Sequence, residues 1–278
     1  MPELPEVETI RRDLEKQVLN KEIIGTRINL SRSLENPLGY DIKGIIYNIS
    51  RFGKYLIIEI MENSSRSNNT CEKKQLSLVI HLRMTGKLIY NKISNGFDEK
   101  HVRVVFLFNG GDCLIFSDIR TFGKIEVFPF QIQLEKFKKI GIDALSEKFT
   151  LKFLNEACQS KKVPIKNFLL DQAFIAGIGN IYAQEILFEA RVSPIRLTNT
   201  LNKKEIKQIY KYIKEILLLA ITHNGTSISD FRRVDDKTGE FQNFLKVYGK
   251  SICCVCKNSL IKIKQSGRTT TYCGICQK

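Results

Sequence analysis

Four cysteines near the C-terminus, Cys253, Cys256, Cys273 and Cys276, form two Cys-x2-Cys pairs separated by sixteen residues (257–272). Thiolates at this spacing suit a closed tetrahedral zinc site. Every position is a cysteine, which leaves none open for a catalytic water, so one structural Zn2+ is expected. Cys254 offers a competing register, but Cys254 and Cys256 are too close in sequence to bite one ion well. Leu260 to Ile263 and Thr269 to Tyr272 read as the two strands of a hairpin between the pairs. Its tip carries Lys262, Lys264, Gln265, Gly267 and Arg268. A rigid basic tip suits a groove or a phosphate, with a solvated turn as the alternative. So short a tail cannot build a core of its own, so its stability must come from the metal.

A second chemical candidate stands at the other end, in Met1-Pro2-Glu3-Leu4-Pro5-Glu6-Val7-Glu8. With Met1 removed, Pro2 is a secondary amine. The reference pKa of an α-amino group is about 7.7–8.0, so part of it is neutral and nucleophilic near pH 7. Its adduct with a carbonyl-like carbon cannot lose a proton from nitrogen and remains a cationic iminium. Proline after the initiator is also commonplace. Glu3 stands beside the amine as a possible proton donor or acceptor. Glu6 and Glu8 suit the first turn of a helix, and Glu6 is placed to orient the terminus.

The elements that must position these groups fall in two blocks. Leu56 to Ile60, Leu76 to Leu82, Val102 to Phe108 and Leu114 to Phe116 read as strands, punctuated by turns such as Asn109-Gly110-Gly111-Asp112. A helix from about Val7 to Val18 precedes them. The polar stretch from Glu62 to Gln75 reads as a surface loop. Beyond Gly141 the pattern turns helical: Leu151, Leu154 and Cys158 share a face, as do Ile181, Glu185 and Phe188. Ile206, Ile209, Ile213, Ile216, Leu217 and Ala220 form an amphipathic stripe, with Gly225 as its stop. A boundary is expected between Phe130 and Gly141. Cys71, Cys113 and Cys158 read as ordinary apolar or loop residues. No internal repeat is evident.

The chain has 278 residues, enough for two ordinary domains and a small appendage. Lys and Arg number 44 against 29 Asp and Glu, a net charge of +15, which favours a polyanionic partner. Nucleic acid leads and a membrane surface comes second. No apolar run approaches the ~18 residues that span a bilayer. The acidic N-terminus does not read as a signal peptide, so an intracellular setting with reduced thiols is expected.

Several segments resemble the formamidopyrimidine-DNA glycosylases, in order along nearly the whole chain. They are the opening Met1-Pro2-Glu3-Leu4-Pro5-Glu6-Val7-Glu8-Thr9, Arg51-Phe52-Gly53-Lys54-Tyr55-Leu56, His81-Leu82-Arg83-Met84-Thr85-Gly86 and Asp118-Ile119-Arg120-Thr121-Phe122-Gly123. Ile165-Lys166 through Leu170-Asp171-Gln172, Gly177-Ile178-Gly179-Asn180-Ile181-Tyr182, Phe241-Gln242 through Val247-Tyr248-Gly249 and the cysteine array complete the set. The resemblance implies a multi-domain α+β fold. It comprises an N-terminal β-sandwich with flanking helices (1–134), a helix–two-turn–helix domain with a lesion-capping loop (135–240) and a zinc finger (241–278).

The same resemblance implies a base-excision repair glycosylase and abasic-site lyase that removes oxidised purines, 8-oxoguanine and formamidopyrimidines, from duplex DNA. Pro2 would attack the sugar C1′ and expel the base, with Glu3 as general acid/base. The iminium would acidify the C2′ proton and permit β- and then δ-elimination. Lys54 and Arg268 match residues that grip phosphates beside the lesion and assist elimination. A base under attack must leave the stack, and Met84, Arg120 and Phe122 match the residues that fill the void. His81, His101, Lys162, Asn180 and Tyr182 match DNA-contacting positions. The stretch from Thr226 to Phe241 resembles the loop that closes over the extruded base. Expected partners are duplex DNA with oxidised bases or abasic sites and no membrane. A cytoplasmic monomer is implied. Thr121 departs from the family, which usually has a basic residue there.

Two other readings stand beside this one. An endonuclease VIII-type relative acting on oxidised pyrimidines shares Pro2 and Glu3 but usually lacks the Arg120–Phe122 pair. A non-catalytic zinc-containing DNA-binding protein fits the charge, cysteines and helices, but has no use for Pro2, Glu3 and Lys54. RNA binding is disfavoured by the lack of aromatic stacking motifs.

Overall fold

The computed structural model describes residues 1–62, 75–92, 99–130, 133–228 and 231–278. The loop expected between Glu62 and Gln75, with Cys71, otherwise lies outside these residues. The chain divides into two compact units, Met1–Lys138 with Asn224–Glu240, and Lys139–His223 with Phe241–Lys278. The segment 224–240, expected in the helical domain, thus clusters with the first unit, and the cysteine tail shares the second unit with the helices.

The first unit begins with helix α1 (Leu4–Val18). It starts three residues before the expected Val7, because Pro5 suits a first turn and Glu6 caps the chain at Glu3. Leu4, Val7, Ile10, Leu14 and Val18 recur at helical spacing and are buried, each contributing roughly 1.5–3 kcal/mol. The strands are β1 (Glu22–Ile28), β2 (Leu34–Glu35), β3 (Gly44–Phe52), β4 (Tyr55–Met61), β5 (Gln75–His81), β6 (Gly86–Lys92), β7 (Val102–Phe108), β8 (Asp112–Asp118) and β9 (Lys124–Pro129). A short helix α2 (Gln133–Phe137) follows. The strands hydrogen-bond in the order β2-β9-β5-β4-β3-β1-β7-β8-β6, and only β2–β9 is a parallel pair.

Ile58, Ile80 and Ile125 from one half of this ladder share a core with Phe106, Phe116 and Leu88 from the other half and with Ile10 and Leu14 of α1. The sheet therefore folds over itself into two layers. A register shift between Val102 and Val104 turns Val102 to the opposite face, where it packs with Val105, Cys113 and Ile115. Phe231 and Val234 are buried in the main core, which explains why their segment belongs to this unit.

The second unit contains β10 (Ile142–Asp143), α3 (Leu151–Gln159), α4 (Ile165–Leu170), β11 (Ile175–Ala176), α5 (Asn180–Glu189), α6 (Lys203–Thr222), β12 (Ile261–Gln265) and β13 (Arg268–Tyr272). In α6 the expected stripe is buried, and Asn202 and Glu205 form a reciprocal cap at 2.9 and 2.8 Å. The helix stops at Thr222, before the expected Gly225, where Asn224 adopts a φ of +58°. Helix α5 is buried along Tyr182 to Phe188, so it has no single apolar face to read. Its Glu185 carboxylate accepts the backbone N–H groups of Lys246, Val247 and Tyr248 at 2.8–3.0 Å. Among the described residues no helix is long and apolar enough to cross a membrane.

Candidate active site and metal centre

Pro2 is buried and Glu3 is 3% exposed at the start of α1. The Glu6 carboxylate holds this terminus: Oε2 accepts the Glu3 N–H at 2.8 Å and Oε1 accepts the Thr226 N–H at 2.7 Å. Gly225 is required beside it, with a φ of +75° and no room for a Cβ against Glu6. Farther along the same segment, Arg233 makes a two-pronged pair with Asp13 of α1 at 2.8 and 2.9 Å.

Lys54 is buried in the two-residue turn between β3 and β4. Gly53 supplies the positive φ of +55° at the first turn position. The Arg51 guanidinium braces the turn by donating to the Gly53 carbonyl at 3.0 Å and to Glu8 at 3.2 Å. His81, opposite Tyr55 in the ladder, meets that ring edge-on at 4.6 Å. Burial, reinforced by the charges of Arg83, Lys54 and Lys136, lowers its pKa to about 3. The imidazole is therefore neutral. Its Nδ1 accepts the Arg83 N–H at 3.0 Å, which leaves the proton on Nε2 as a donor.

Met84, Arg120 and Phe122 lie on two adjacent loops, Leu82–Thr85 and Ile119–Gly123. Met84 is 42% and Phe122 54% exposed, and Arg120 stacks its guanidinium 5.1 Å from the Phe122 ring centre. Buried Asp118 binds the loops together. Its Oδ1 accepts from the Thr85 hydroxyl and from the Arg120 N–H at 3.2 Å, and its Oδ2 accepts the Gly123 N–H at 2.7 Å. The Arg120 N–H also reaches Thr85 Oγ1 at 3.0 Å. Arg83 and Thr121 take left-handed φ values of +54° and +58°, uncommon for non-glycine residues. His101 is half-buried in a single turn before β7 and lines a cavity of about 410 Å³ with Lys87, Tyr90 and Asp235.

In the second unit Asn180 opens α5, whereas Tyr182 is fully buried near the Phe241 ring, at 5.8 Å. The whole of Tyr182 is thus core, unlike the partly exposed Asn180 two residues before it. Lys162 is exposed. Arg268 is exposed directly after a two-residue turn, where Ser266 and Gly267 both take positive φ, +49° and +73°.

Cys253, Cys256, Cys273 and Cys276 bring their sulfurs within 4.8 Å of one another. Cys253–Cys276 and Cys256–Cys273 are 3.9 and 3.4 Å apart. A tetrahedron with metal–sulfur bonds of ~2.3 Å has edges of about 3.8 Å, so the four thiols fit a closed metal site. The Cys276 N–H points at Cys273 Sγ, 3.3 Å away. Cys254 is exposed and outside the cluster, whereas Cys113 and Cys158 are buried elsewhere.

The formamidopyrimidine-DNA glycosylase N-terminal domain model matches residues 1–125, and the family's H2TH domain model matches residues 140–232. The chain belongs to the formamidopyrimidine-DNA glycosylase family. It is 37% identical to the Pelotomaculum thermopropionicum formamidopyrimidine-DNA glycosylase and 39% identical to that of Rickettsia africae, covering 100% of this chain and 99% of each relative. A point mutant of Lactococcus lactis Fpg bound to Fapy-dG DNA superposes with a TM-score of 0.88 at 36% identity over 100% of both chains. Lactococcus lactis Fpg with abasic-site DNA gives 0.87 at 36% identity over 99% of both.

Some residues that organise this family member had no role in the sequence reading. Asp118, Thr85, Glu185 and Lys166 all lie inside quoted segments or on a named helix face. A polar residue within a string that otherwise reads as core was the available signal, but each of the four has at least one partner 33 or more positions away.

Proposed function

We propose that this chain is a base-excision repair DNA glycosylase and abasic-site lyase acting on oxidised purines in duplex DNA, with Pro2 as nucleophile. The buried terminus held by Glu6 carries this reading. A flexible N-terminal amine would lose most of its effective concentration at a sugar carbon, and pre-organisation offsets that entropy.

With Met1 removed, the Pro2 nitrogen attacks C1′ while Glu3 moves a proton at the sugar ring. The C1′–base bond breaks and the electron pair leaves with the base. Glu3 protonates O4′, the C1′–O4′ bond breaks and the opened sugar is left as a C1′ iminium. Loss of the C2′ proton then expels the 3′ phosphate, and loss of the C4′ proton from the conjugated product expels the 5′ phosphate. Lys54 and Arg268 hold phosphates beside the lesion, and neutral His81 offers its Nε2–H to another. His101, Lys162 and Asn180 extend the grip, aided at α5 by the helix dipole, with Tyr182 packed as core behind Asn180. Met84, Arg120 and Phe122 fill the space left by the extruded nucleotide. The segment from Thr226 to Phe241 caps the base. Zn2+ at the four cysteines supplies a rigid cross-link for the Arg268 hairpin and no reaction step. The protein acts as a cytoplasmic monomer.

Borohydride should trap a covalent adduct between the mature protein and a duplex containing 8-oxoguanine. Pro2→Gly should bind the duplex and lose most trapping and nicking. Undiminished nicking by Pro2→Gly, or active protein that retains Met1, refutes the nucleophile. Lactococcus lactis Fpg has been solved with oxidised-pyrimidine DNA, so a thymine glycol duplex belongs beside the 8-oxoguanine one. Faster excision of thymine glycol would favour the pyrimidine reading.

A further inference from the structure

Lys166 on α4 is a lysine with 0% exposure. Burying an ammonium is costly unless oxygen acceptors surround it. Two of its donors reach Asn180 Oδ1 and Thr270 Oγ1, each at 2.7 Å. Thr270 Oγ1 passes its own hydrogen to Gln265 Oε1 at 3.1 Å, and Gln265 Nε2 donates to the Pro194 carbonyl at 3.0 Å. Asn180 Nδ2 lies 3.3 Å from the Thr269 carbonyl, while Gln184 Oε1 accepts the Thr271 N–H at 2.6 Å. This network joins α4, the start of α5 and both strands of the hairpin that ends in Arg268.

The consequence lies in the Asn180 carboxamide, which has an acceptor end and a donor end. The ammonium can only donate, so it fixes Oδ1 inward. The NH2 group is thereby turned outward, with one hydrogen toward Thr269 and the second directed away from the acceptor end. We propose that Lys166 is a positioning residue for DNA binding: it holds Asn180 as a phosphate donor and ties it in register with the strand that begins at Arg268. This rests on the reading of Asn180 as a phosphate contact. Without Lys166 the amide is free to rotate and present its oxygen, which repels a phosphate.

The test is a double-mutant cycle on binding to a duplex with a tetrahydrofuran abasic analogue, at several salt concentrations. Asn180→Ala should weaken binding about ten- to hundredfold, the range for a hydrogen bond to a charged group. Lys166→Met should match it, and the double variant should be no weaker than either single one. Lys166→Met should leave the salt dependence unchanged, because a lysine that itself neutralised a phosphate would lower the slope by about 0.9. Lys166→Arg should restore most of the affinity. Zinc content and thermal unfolding establish that each variant is folded. Should Lys166→Met not fold, Asn180→Asp serves in its place. Its carboxylate keeps the Lys166 partner, so it should fold stably and still bind weakly.

Wild-type binding by Asn180→Ala would sink the phosphate reading and the inference with it. Weak binding by Asn180→Ala alongside wild-type binding by Lys166→Met would overturn the inference alone. Additive losses, a lowered salt slope in Lys166→Met, or tight binding by Asn180→Asp would also overturn it.

Discussion

The Glu6 carboxylate and the Thr226 amide, 220 positions apart in sequence, meet at 2.7 Å, and the second oxygen of the same carboxylate holds the Glu3 amide. One buried group thus ties the proposed catalytic terminus to the proposed capping segment. Glu6→Gln replaces one acceptor with a donor that faces an N–H. It should destabilise the protein by about 1–3 kcal/mol and lower borohydride trapping on an 8-oxoguanine duplex. Full trapping with an unchanged melting temperature would show that the link has no role.

Asp118 is the corresponding link for the loops that carry Met84, Arg120 and Phe122. Asp118→Ala leaves the Gly123 N–H and the Thr85 hydroxyl without their carboxylate. Denaturant unfolding should show a loss of about 3 kcal/mol or more, since each buried orphan costs about 1–3. Binding to abasic DNA should weaken as well, although Asp118 is buried. Unchanged binding would mean that Met84, Arg120 and Phe122 need no such support.

His81 makes stability depend on pH. Its folded pKa is about 3, below the 6.5 of an unperturbed histidine. Between these values the unfolded chain takes up a proton that the folded chain refuses. The stabilisation is therefore complete above pH 6.5 and is lost progressively as pH falls toward 3. From pH 7.5 to 5.5 this one group should remove about 1.4 kcal/mol. His81→Asn should flatten that part of the profile in urea unfolding, and an identical slope in the variant would count against a neutral buried imidazole.

The cysteine cluster gives a paired prediction. Stripping the metal with a strong chelator should weaken DNA binding, because the Arg268 hairpin depends on the cross-link. Cys254→Ser should retain one zinc per chain and bind normally, because Cys254 lies outside the cluster. Normal affinity in demetallated protein, or zinc loss in Cys254→Ser, contradicts the assignment.

Strands β4, β5, β7 and β8, helices α1, α3 and α6 and the metal hairpin were legible because their apolar residues or paired cysteines repeat at a local period. Strands β1, β3, β6 and β9 were not. They mix apolar residues with polar ones such as Lys87, Asn91 and Arg51, so no local period marks them and only a partner strand places them. Helix α5 was legible as a helix but its face was not, since burial runs all the way from Tyr182 to Phe188.

By itself the sequence determined the chemical inventory: a proline at position 2, an amine only once Met1 is removed, with a carboxyl beside it, four thiols at metal spacing and a basic chain. These depend on residue type and short spacing, which are local. Only the tertiary structure decided what holds them. The segment 224–240 joins the β-sheet unit because Phe231 and Val234 find burial there, Tyr182 turns inward as core, and Asp118, Glu6 and Lys166 become links between distant segments. Hydrogen bonds between such segments leave no periodic trace in a sequence; they exist only once burial has removed the water that would otherwise satisfy each group.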